Sequence, residues 1–488
     1  MFRNILKSST LYAAGTMART ATSIIMLPIY TRYLSPSVYG TAELLNIILD
    51  LTVLLLGARI TTGMFKFYAD AENQKEKHTV LSTCLWLGLL FNIVAMMILW
   101  GASPLIALAL GDPSITEALR WIMFTLAFAT IGEIGMGYFR VNDQAGRYLL
   151  VSLLRLASQI AASLYFIVYK EAGLWGVIYS ALIGAGFQAL LLLTVIISTI
   201  GLRFSTTIAK NLIIFSMPII ISSIAMYYMT FGDRYFLQIF HDTSSVGIYA
   251  LGYKFGFMLL ALVWGPFMSY WGAKQFDHAR SPGGAEFFSQ AFSIATYILW
   301  AGATGMLIFV APAIQFMADA SYHSAAHLVP PIVLAYVFHG WAQFHQFGIL
   351  DSKNTRFLNT YTWISAAVMS IFYILLIPPY GGMGAAIATL VGMVLRFVLI
   401  YRKSQQYFKF ITDWKKIFFL FFGSYVAYAS TIFLYNNDRS DFVIGILLYF
   451  FIIITSVLTN CAPLTRREIS KQTKAFLSKD PRISKNNY

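Results

Sequence analysis

Apolar residues in this chain form long, uninterrupted runs rather than an alternating pattern. Fourteen runs are separated by short polar segments. A run of about 20 apolar residues crosses the hydrocarbon core of a bilayer as an α-helix, whereas the strands of a membrane barrel alternate apolar and polar residues. The pattern therefore predicts an all-α polytopic membrane protein. The predicted spans are residues 8–32, 37–63, 77–101, 115–140, 145–169, 173–200, 208–231, 244–272, 285–310, 325–350, 355–378, 381–404, 413–435 and 441–460.

The two halves of the chain share a weak internal repeat. Gly173-Leu174-Trp175-Gly176 opens the sixth span, and Gly381-Gly382-Met383-Gly384 opens the twelfth, 208 residues later. Ser37-Val38-Tyr39-Gly40 and Ser245-Val246-Gly247-Ile248 have the same offset. Because each half contains six spans, both halves start on the same side of the membrane. This arrangement predicts two parallel six-helix lobes around a central cavity.

The repeat divides the chain into four parts. We expect an N-terminal six-helix lobe over residues 1–204 and a C-terminal six-helix lobe over residues 205–406. Two additional spans follow over residues 407–462, and a basic tail covers residues 463–488. The additional spans carry no interior charge, which predicts peripheral helices that face lipid; a hydrophobic groove for a long lipid tail is the alternative.

Charged residues are few in this chain, and the positive ones are distributed unevenly among the loops. Only 11% of the 488 residues are charged, and 58% are hydrophobic, whereas about a quarter of the residues in a soluble domain are charged. The net charge is +14, and 25 of the 35 Lys and Arg residues lie in alternate loops and the C-terminal tail. Four lie in the opposite loops, and these are Arg32, Lys170, Arg234 and Arg439. This asymmetry predicts that both termini are cytoplasmic, and it explains the basic charge without nucleic acid.

A polar face on the first span contains a deep cation. Ser8, Tyr12, Thr16, Arg19 and Ser23 recur at helical spacing, so they share one side of the helix. Unpaired hydroxyls and a guanidinium are costly in lipid, so this face is expected to point to the protein interior. A guanidinium makes two parallel hydrogen bonds to phosphate, which favours a phosphate contact for Arg19. A structural ion pair is the alternative.

Six cations lie within the predicted spans when those at the span ends are counted with the loops, and three of them besides Arg19 are candidate ligands. Arg155 belongs to a polar face of the fifth span, and Lys254 lies on a face of small residues in the eighth. Arg396, in the twelfth span, corresponds to Gln188 by the offset of 208. Together with Arg19, these cations are our candidates for binding a diphosphate. For Arg396, extension of the side chain to the membrane surface is an equal alternative.

Acidic side chains occur near these cations. Asp50 lies near the middle of the second span, on the same face as Glu43. Glu133, in the fourth span, is expected at a depth similar to that of Arg155, so an ion pair between them is one interpretation. A carboxylate in a membrane is easily neutralised by a raised pKa. We therefore predict that Asp50, Glu43 and Glu133 take part in ion coupling, with a permanent Asp50–Arg19 pair as the alternative.

Neutral polar side chains form a face of the tenth span. Tyr336, His339, Gln343 and Gln346 recur at helical spacing. Such side chains hydrogen-bond to sugar hydroxyls, and aromatic rings stack on sugar faces. With Tyr12, they are our candidates for a sugar-binding wall. No metal-ligand spacing, nucleotide-binding loop or catalytic motif is recognisable, so we expect a protein that is not an enzyme and needs no metal or cofactor.

Four segments resemble bacterial polysaccharide (oligosaccharide) flippases. Residues 27–36 with Val38-Tyr39-Gly40 resemble the first periplasmic turn of that family, and residues 64–70 resemble its loop between helices 2 and 3. Residues 381–389 resemble the start of its helix 12, and residues 233–235 give a fourth match. The chain is thus similar to Wzx-like members of the multidrug/oligosaccharidyl-lipid/polysaccharide exporter superfamily.

This resemblance implies a fold, a substrate and a location. The fold would be that of multidrug and toxin extrusion transporters. The substrate would be an undecaprenyl-diphosphate-linked oligosaccharide, flipped across the bacterial inner membrane for O-antigen, capsule or exopolysaccharide synthesis. Expected partners are membrane lipids and, as one possibility, a polymerase and other assembly proteins. Related lipid II flippases carry central cations on helices 1, 2 and 8, and Arg19 and Lys254 fall at comparable places.

Several other functions remain open at this stage. An ion-coupled multidrug extruder of the same superfamily would have an acidic cavity, and a peptidoglycan lipid II flippase would share the basic one. A major-facilitator carrier also has six plus six helices, but the loop after the second span lacks its usual basic motif. A scaffold within an assembly complex is a further alternative. The sugar, the coupling ion and the role of the last two spans are not indicated.

Overall fold

The computed structural model describes residues 15, 24–56, 58–352, 354–435 and 440–458. In these residues nearly all of the chain is helical and no strand occurs. Residues 24–33 are helical, and they precede sixteen numbered α-helices. These are α1 Pro36–Leu56, α2 Ala58–Asp70, α3 Gln74–Ala109, α4 Thr116–Ile122, α5 Phe124–Val141, α6 Ala145–Ser163, α7 Gly173–Val195, α8 Thr206–Phe240, α9 Thr243–Met258, α10 Gly265–Arg280, α11 Gly284–Met317, α12 Ala325–His345, α13 Phe347–Asp351, α14 Arg356–Tyr407, α15 Trp414–Leu434 and α16 Ser440–Leu458.

The lengths of these helices confirm the predicted class. Within the described residues, ten helices are long and apolar enough to cross a membrane, or eleven if a bent pair within α8 is one span. α14 has 52 residues and a kink at Gly381, so it covers the eleventh and twelfth predicted spans together. The chain is a multi-pass helical membrane protein. Most of the first predicted span lies outside the described residues, so the total of fourteen stays a prediction.

Two glycines, 208 residues apart, adopt the same backbone conformation. Gly173 has φ of 54° and Gly381 has φ of 53°, a left-handed region that favours glycine. The next glycines of each motif also correspond. A Cβ on Gly176 would lie 2.7 Å from Ile167, and one on Gly384 would lie 2.0 Å from the carbonyl oxygen of Leu376. At this point of each half, the chain therefore turns sharply and the new helix starts close against the preceding one.

Side chains cap the N-termini of several helices. The Asn73 side chain accepts a hydrogen bond from the Glu76 N–H over 2.9 Å, and Asp413 accepts one from the Lys416 N–H over 3.2 Å. Before α9, the carboxylate of Asp242 accepts from the Ser245 N–H over 2.7 Å. These bonds satisfy backbone donors that have no partner within the first turn of a helix.

The Asp242 cap should be detectable as a pH-dependent contribution to stability. The Ser245 N–H holds the pKa of the Asp242 carboxyl below its ordinary value of 3.8. Because the folded-state pKa is lowered, the stabilisation is complete above pH 3.8 and is lost as the pH falls through the folded-state value. Asp242→Ala should therefore cost about 1 kcal/mol at pH 7. Thermal unfolding of the purified protein at several pH values measures this.

Asparagine at the same position is the matched control. Asp242→Asn keeps an acceptor for the Ser245 N–H but does not titrate, so it should retain most of the stability at pH 7. If the alanine variant unfolds at the wild-type temperature at pH 7, the cap contributes nothing.

The described residues divide into two compact units. The first comprises the described parts of Met1–Leu251, Met317–Ala325 and Ala366–Ala388. The second comprises those of Gly252–Phe316, Ala326–Ser365 and Thr389–Tyr488. The boundaries expected from the repeat, at residues 204 and 406, stay a prediction.

Two apolar clusters lie in the core of the described part of the first unit. One contains residues of α1, α3, α4, α5 and α7, and the other contains residues of α2, α3, α5, α6, α7 and α8. Along α5 and α7, a stretch of more polar residues lies between the two clusters. The first cluster includes Leu45, Leu119, Met123, Leu126 and Ile178; the second includes Met64, Leu81, Ile134, Phe139, Tyr148 and Leu192.

A close crossing of α1 and α9 depends on two glycines of the first unit. A Cβ on Gly40 would lie 2.0 Å from the carbonyl oxygen of Thr243. A Cβ on Gly247 would lie 2.0 Å from the carbonyl oxygen of Pro36. The two contacts are reciprocal, so Gly40 corresponds to Gly247 in space, an offset of 207 residues. The internal repeat in the sequence aligned this region with an offset of 208. Backbone contact of this kind is possible only without side chains.

The segment between α11 and α12 packs against the start of the chain's first loop. The Asp319 N–H donates to the carbonyl oxygen of Thr31 over 3.0 Å, and the Tyr322 hydroxyl donates to that of Leu34 over 3.0 Å. The ring of Tyr322 lies edge-on to that of Tyr39, with centroids 6.1 Å apart. Within the first unit, this segment therefore covers the turn that leads into α1.

Arg234 was expected in a loop, and this expectation is wrong. α8 continues to Phe240, and Arg234 is 2% exposed within it. Its Nη1 lies 2.6 Å from Oδ1 of Asp233, and the hydroxyl of Tyr249 donates to Oδ2 of Asp233 over 2.7 Å. The adjacent acid compensates the charge, so the cation is buried inside a helix instead of ending it.

The second unit has an aromatic core and carries the last two helices. Trp271 stacks on Phe344 with centroids 4.8 Å apart, within a cluster of rings from α10, α11 and α12. Trp300 of α11 donates to the carbonyl oxygen of Leu420 over 2.7 Å, so α15 packs against α11. The opposite faces of α15 and α16 are apolar and exposed, as expected for lipid-facing helices. Those residues include Phe418, Phe422, Phe433, Phe450 and Phe451.

Candidate functional site

A polar cavity lies between the two apolar clusters of the first unit. Its volume is about 300 Å³, and its walls come from α1, α5, α6 and α7. The polar residues that line it are Asn46, Asp50, Thr125, Glu133, Arg155, Gln159 and Gln188. The apolar lining is partly small, since Ala129, Ala181 and Ala185 contribute to it. Small side chains at these helix positions leave the space that longer ones would fill.

Glycines bring two of the polar side chains close to neighbouring helices. A Cβ on Gly132 would lie 3.3 Å from Oε1 of Gln188, so α5 and α7 approach each other at this point. A Cβ on Gly184 would lie 3.0 Å from Cβ of Gln159, which brings α6 close to α7. The amides therefore reach the cavity wall from helices that are packed closely together.

Arg155 is the cation of this cavity. Its Nη1–H donates to Oε1 of Gln188 over 2.7 Å, a short bond of the charge-assisted type. The residue is half-buried, whereas Gln188 is only 3% exposed. A guanidinium carries five N–H donors in a planar fork, so one side chain can bind both Gln188 and an oxygen of a ligand.

Two carboxylates line the same cavity. Asp50 projects from α1 as an exposed residue, and Glu133 projects from α5 as a half-buried one. The sequence predicted similar membrane depths for Glu133 and Arg155, and both side chains line this cavity. Glu43, on α1, is half-buried and is not among the residues that line the cavity. Among the described residues, the cavity therefore combines one cation, Arg155, with two carboxylates.

Other predicted site residues lie in the second unit. Lys254 in α9 is half-buried, and Tyr336, His339 and Arg396 are buried. Trp264 Nε1–H donates to Oε1 of Gln343 over 2.8 Å, and Nε2 of Gln343 lies 2.9 Å from Nε2 of His339. Trp264, Gln343 and His339 thus form a chain of hydrogen bonds inside that unit.

Tyr12 and Arg19 lie outside the described residues, so their predicted contacts to sugar and diphosphate are not examined by the structure. The structure thus brings Asp50, Glu133 and Arg155 together in the first unit. It places Tyr336, His339, Gln343 and Arg396 in the second.

Sequence reasoning missed the partner of Arg155. Gln188 appeared only as the repeat counterpart of Arg396, and its hydrogen bond to Arg155 joins two neighbouring helices 33 residues apart. A buried glutamine in an apolar span was the available signal, because a buried amide is normally hydrogen-bonded. Among the described residues, no group of three or more His, Cys, Asp and Glu side chains could hold a metal ion.

Comparison with known families identifies the part of the chain that forms the cavity. Residues 29–269 match the family model described as polysaccharide biosynthesis protein. This part of the chain is similar to the polysaccharide biosynthesis family. All residues that line the cavity fall within the matched segment. No curated protein sequence matches the chain significantly.

Solved structures of transporters share the fold. The lipid II flippase MurJ, in an inward closed conformation, superposes with a TM-score of 0.72 at 15% identity, covering 91% of this chain and 98% of that one. An inward-facing multidrug resistance MATE family transporter of the MOP superfamily gives a TM-score of 0.60 at 14% identity, covering 81% and 94%. At these identities the likeness establishes the fold, and it confirms the predicted MATE-like architecture.

Proposed function

We propose that the protein flips a polyprenyl-diphosphate-linked oligosaccharide across a membrane for surface polysaccharide synthesis. The observation that carries this proposal is the polar cavity of the first unit, with Arg155 in its wall. The match of residues 29–269 to the polysaccharide biosynthesis family supports the class of substrate. The fold it shares with a lipid II flippase supports the type of movement.

The chemistry of the cavity suits part of a charged sugar headgroup. A diphosphate needs donors and positive charge away from bulk water, and the guanidinium of Arg155 supplies both. Sugar hydroxyls need neutral donors and acceptors, which Asn46, Gln159 and Gln188 provide. A cavity of about 300 Å³ accommodates only part of such a headgroup, so the cavity serves as a binding subsite. Arg19 and Lys254 remain proposed diphosphate ligands, and Tyr12 and Gln343 remain proposed sugar ligands. Tyr336, His339 and Arg396 are more than nine-tenths buried, so we do not retain them as ligands of this large headgroup.

We further propose that the protein lies in the bacterial inner membrane with both termini in the cytoplasm. The asymmetry of Lys and Arg between alternate loops supports this orientation. Undecaprenyl-diphosphate-linked oligosaccharide and membrane lipids are the proposed partners, and a polymerase would act on the flipped product. This orientation places residues 311–324 outside the cytoplasm. If cysteines introduced at residues 311–324 are labelled from the cytoplasmic side and not from the outside, the proposed orientation is wrong.

A second candidate function is ion-coupled extrusion of organic cations. Asp50 and Glu133 favour it, because carboxylates in a cavity attract cationic drugs. Depletion of the protein in its host separates the two functions. A flippase should leave lipid-linked oligosaccharide accumulated in the cell and polymer missing from the surface. An extruder should leave polymer intact and increase sensitivity to cationic drugs.

Asp50 is the proposed residue for ion coupling, with Glu133 and Glu43 as further acids. Protonation of Asp50 would change the charge near Arg155 in the same cavity and so alter the affinity for an anion. Coupling of this type amounts to about 1–3 kcal/mol, or roughly 5- to 150-fold in affinity. In vesicles with an imposed pH or sodium gradient, Asp50→Asn should make flipping independent of the gradient. A wild-type protein that already ignores both gradients would leave Asp50 with a structural role.

A further inference from the structure

The second unit buries an arginine whose charge no described carboxylate compensates. Arg396, in α14, is 7% exposed. Within the described part of the chain, none of the ion pairs includes Arg396. Its buried Nη1 also has no hydrogen-bond partner there. Burying a charge is unfavourable unless an opposite charge and hydrogen bonds compensate it.

Thr362 fixes the orientation of this guanidinium. The Arg396 Nε–H donates to the Thr362 hydroxyl oxygen over 3.3 Å. That hydroxyl donates its own hydrogen to the carbonyl oxygen of Leu358 over 2.7 Å, so it can only accept from Arg396. The arginine is therefore anchored through Nε, and Nη1 is a separate donor inside the unit.

A second buried donor follows from a chain of hydrogen bonds that ends at His339. The indole N–H of Trp264 can only donate, so the Gln343 atom 2.8 Å away is the amide oxygen. The amide nitrogen of Gln343 must then donate to Nε2 of His339, 2.9 Å away. Because Nε2 accepts, the neutral imidazole carries its proton on Nδ1. His339 is 8% exposed, and Nδ1 has no hydrogen-bond partner among the described residues.

The two donors are near each other. Their chain neighbours Phe338 and Phe397 pack with ring centroids 5.7 Å apart, so α12 and α14 are in contact at this level, and the guanidinium of Arg396 acts electrostatically on the imidazole of His339. Both belong to the second unit, which contributes His339 from α12 and Arg396 from α14. One positive charge and two N–H donors in a buried place are the elements of an anion site.

The internal repeat indicates why this place lacks an acid. The offset of 208 that relates Gly173 to Gly381 also relates Gln188 to Arg396 and Glu133 to Trp341. In the first unit, the arginine shares its cavity with Glu133. In the second, the corresponding position holds a tryptophan. Arg396 corresponds to Gln188 and not to Arg155, so the cation of the second unit lies at a different helix position, and a tryptophan occupies the position of the acid.

We propose that Arg396 Nη1 and His339 Nδ1 together bind a small monovalent anion, chloride being the abundant one. A single charge matches that of one guanidinium. Both ligands are more than nine-tenths buried, which favours a small spherical ion over a diphosphate with its attached sugar. The inference stands apart from the flippase function, since the ion would be a bound component of the second unit and not the transported substrate.

Halide-dependent stability of the purified full-length protein tests this site. Its Tm in detergent is measured while sodium chloride replaces sodium gluconate at constant sodium concentration. A ligand that binds only the folded state raises stability in a saturable way. Chloride and bromide should therefore raise Tm with saturation, and gluconate, which is too large, should not. A Tm that is the same in chloride and gluconate overturns the proposal, including the case in which water alone fills the place.

Paired substitutions of His339 locate the effect. The amide nitrogen of asparagine lies about where Nδ1 does, and that of glutamine lies about where Nε2 does. His339→Asn therefore keeps the donor to the anion, whereas His339→Gln removes it. His339→Gln should weaken the apparent chloride affinity by about tenfold, the factor expected for loss of one hydrogen bond to a charged group, and His339→Asn should stay within about threefold of wild type.

Arg396→Gln removes the charge itself. This variant should lose the saturable response to chloride. If it does not fold, the two His339 variants decide the question without it. Chloride affinity in His339→Gln equal to that of the wild type, or a chloride response retained in folded Arg396→Gln, overturns the assignment.

Discussion

Replacing Arg155 with alanine should lower the rate of oligosaccharide flipping by about 10- to 100-fold. The substitution removes a charged donor of the cavity, and hydrogen bonds to charged groups contribute about 1.5–3 kcal/mol. It also leaves Gln188 without the bond that Arg155 donates over 2.7 Å. Arg155→Lys should retain part of the activity, because an ammonium keeps the charge but loses the two-pronged geometry. Export of surface polymer by cells that carry each variant measures the effect.

Arg147→Ala is the matched control for this experiment. Arg147 lies on the same helix, is exposed, and donates to Oε1 of Gln144 over 3.1 Å. Its removal should leave export unchanged, since an exposed contact of this kind contributes little. Protein abundance is measured in parallel for all variants. Wild-type export by Arg155→Ala at equal abundance would exclude Arg155 from the substrate site.

Adding one methyl group at Gly40 or Gly247 should destabilise the protein by about 3 kcal/mol. The added Cβ would lie 2.0 Å from a backbone oxygen of the facing helix, Thr243 in one case and Pro36 in the other. Backbone atoms cannot move aside as a flexible side chain can, so α1 and α9 would have to separate. Thermal unfolding of Gly40→Ala and Gly247→Ala measures the cost.

Gly101→Ala, in contrast, is expected not to destabilise the protein. Gly101 lies inside α3, and a Cβ there would meet nothing within 4 Å. Alanine is intrinsically more favourable than glycine in a helix by about 1 kcal/mol, so this variant should be as stable as the wild type or more so. Equal Tm values for Gly40→Ala and Gly101→Ala would show that α1 and α9 do not cross closely.

The class and much of the helix order follow from hydrophobic runs alone. Burial in lipid requires long apolar helices, so each run predicts a span whatever its tertiary contacts are. The repeat could also be recognised in the sequence, because both halves need a glycine, Gly173 or Gly381, where the backbone has φ > 0. The offset of 207 instead of 208 at Gly40 and Gly247 could not be predicted, because the few residues at the start of a helix do not contain a pattern that fixes their alignment.

The composition of the site was only partly predictable. Helical periodicity identified which faces of α1, α5 and α6 are polar, and it led to Asp50, Glu133 and Arg155. It could not give their partners, since the approach of α6 to α7 depends on packing at Gly184 and Gln159. Arg234 was assigned to a loop because a cation normally ends a span. Its ion pair with Asp233 depends on tertiary burial that the sequence does not express.

Flipping by the purified protein in vesicles is the most direct test of the central proposal. Polyprenyl-diphosphate-linked oligosaccharide with a fluorescent sugar is incorporated in both leaflets, and a membrane-impermeant reagent removes the fluorescence of the outer one. With wild-type protein, the inner-leaflet signal should also disappear. It should decay about 10- to 100-fold more slowly with Arg155→Ala and persist in vesicles without protein. An inner-leaflet signal that persists with folded wild-type protein, in vesicles that transport an organic cation, would contradict the account and favour the extruder.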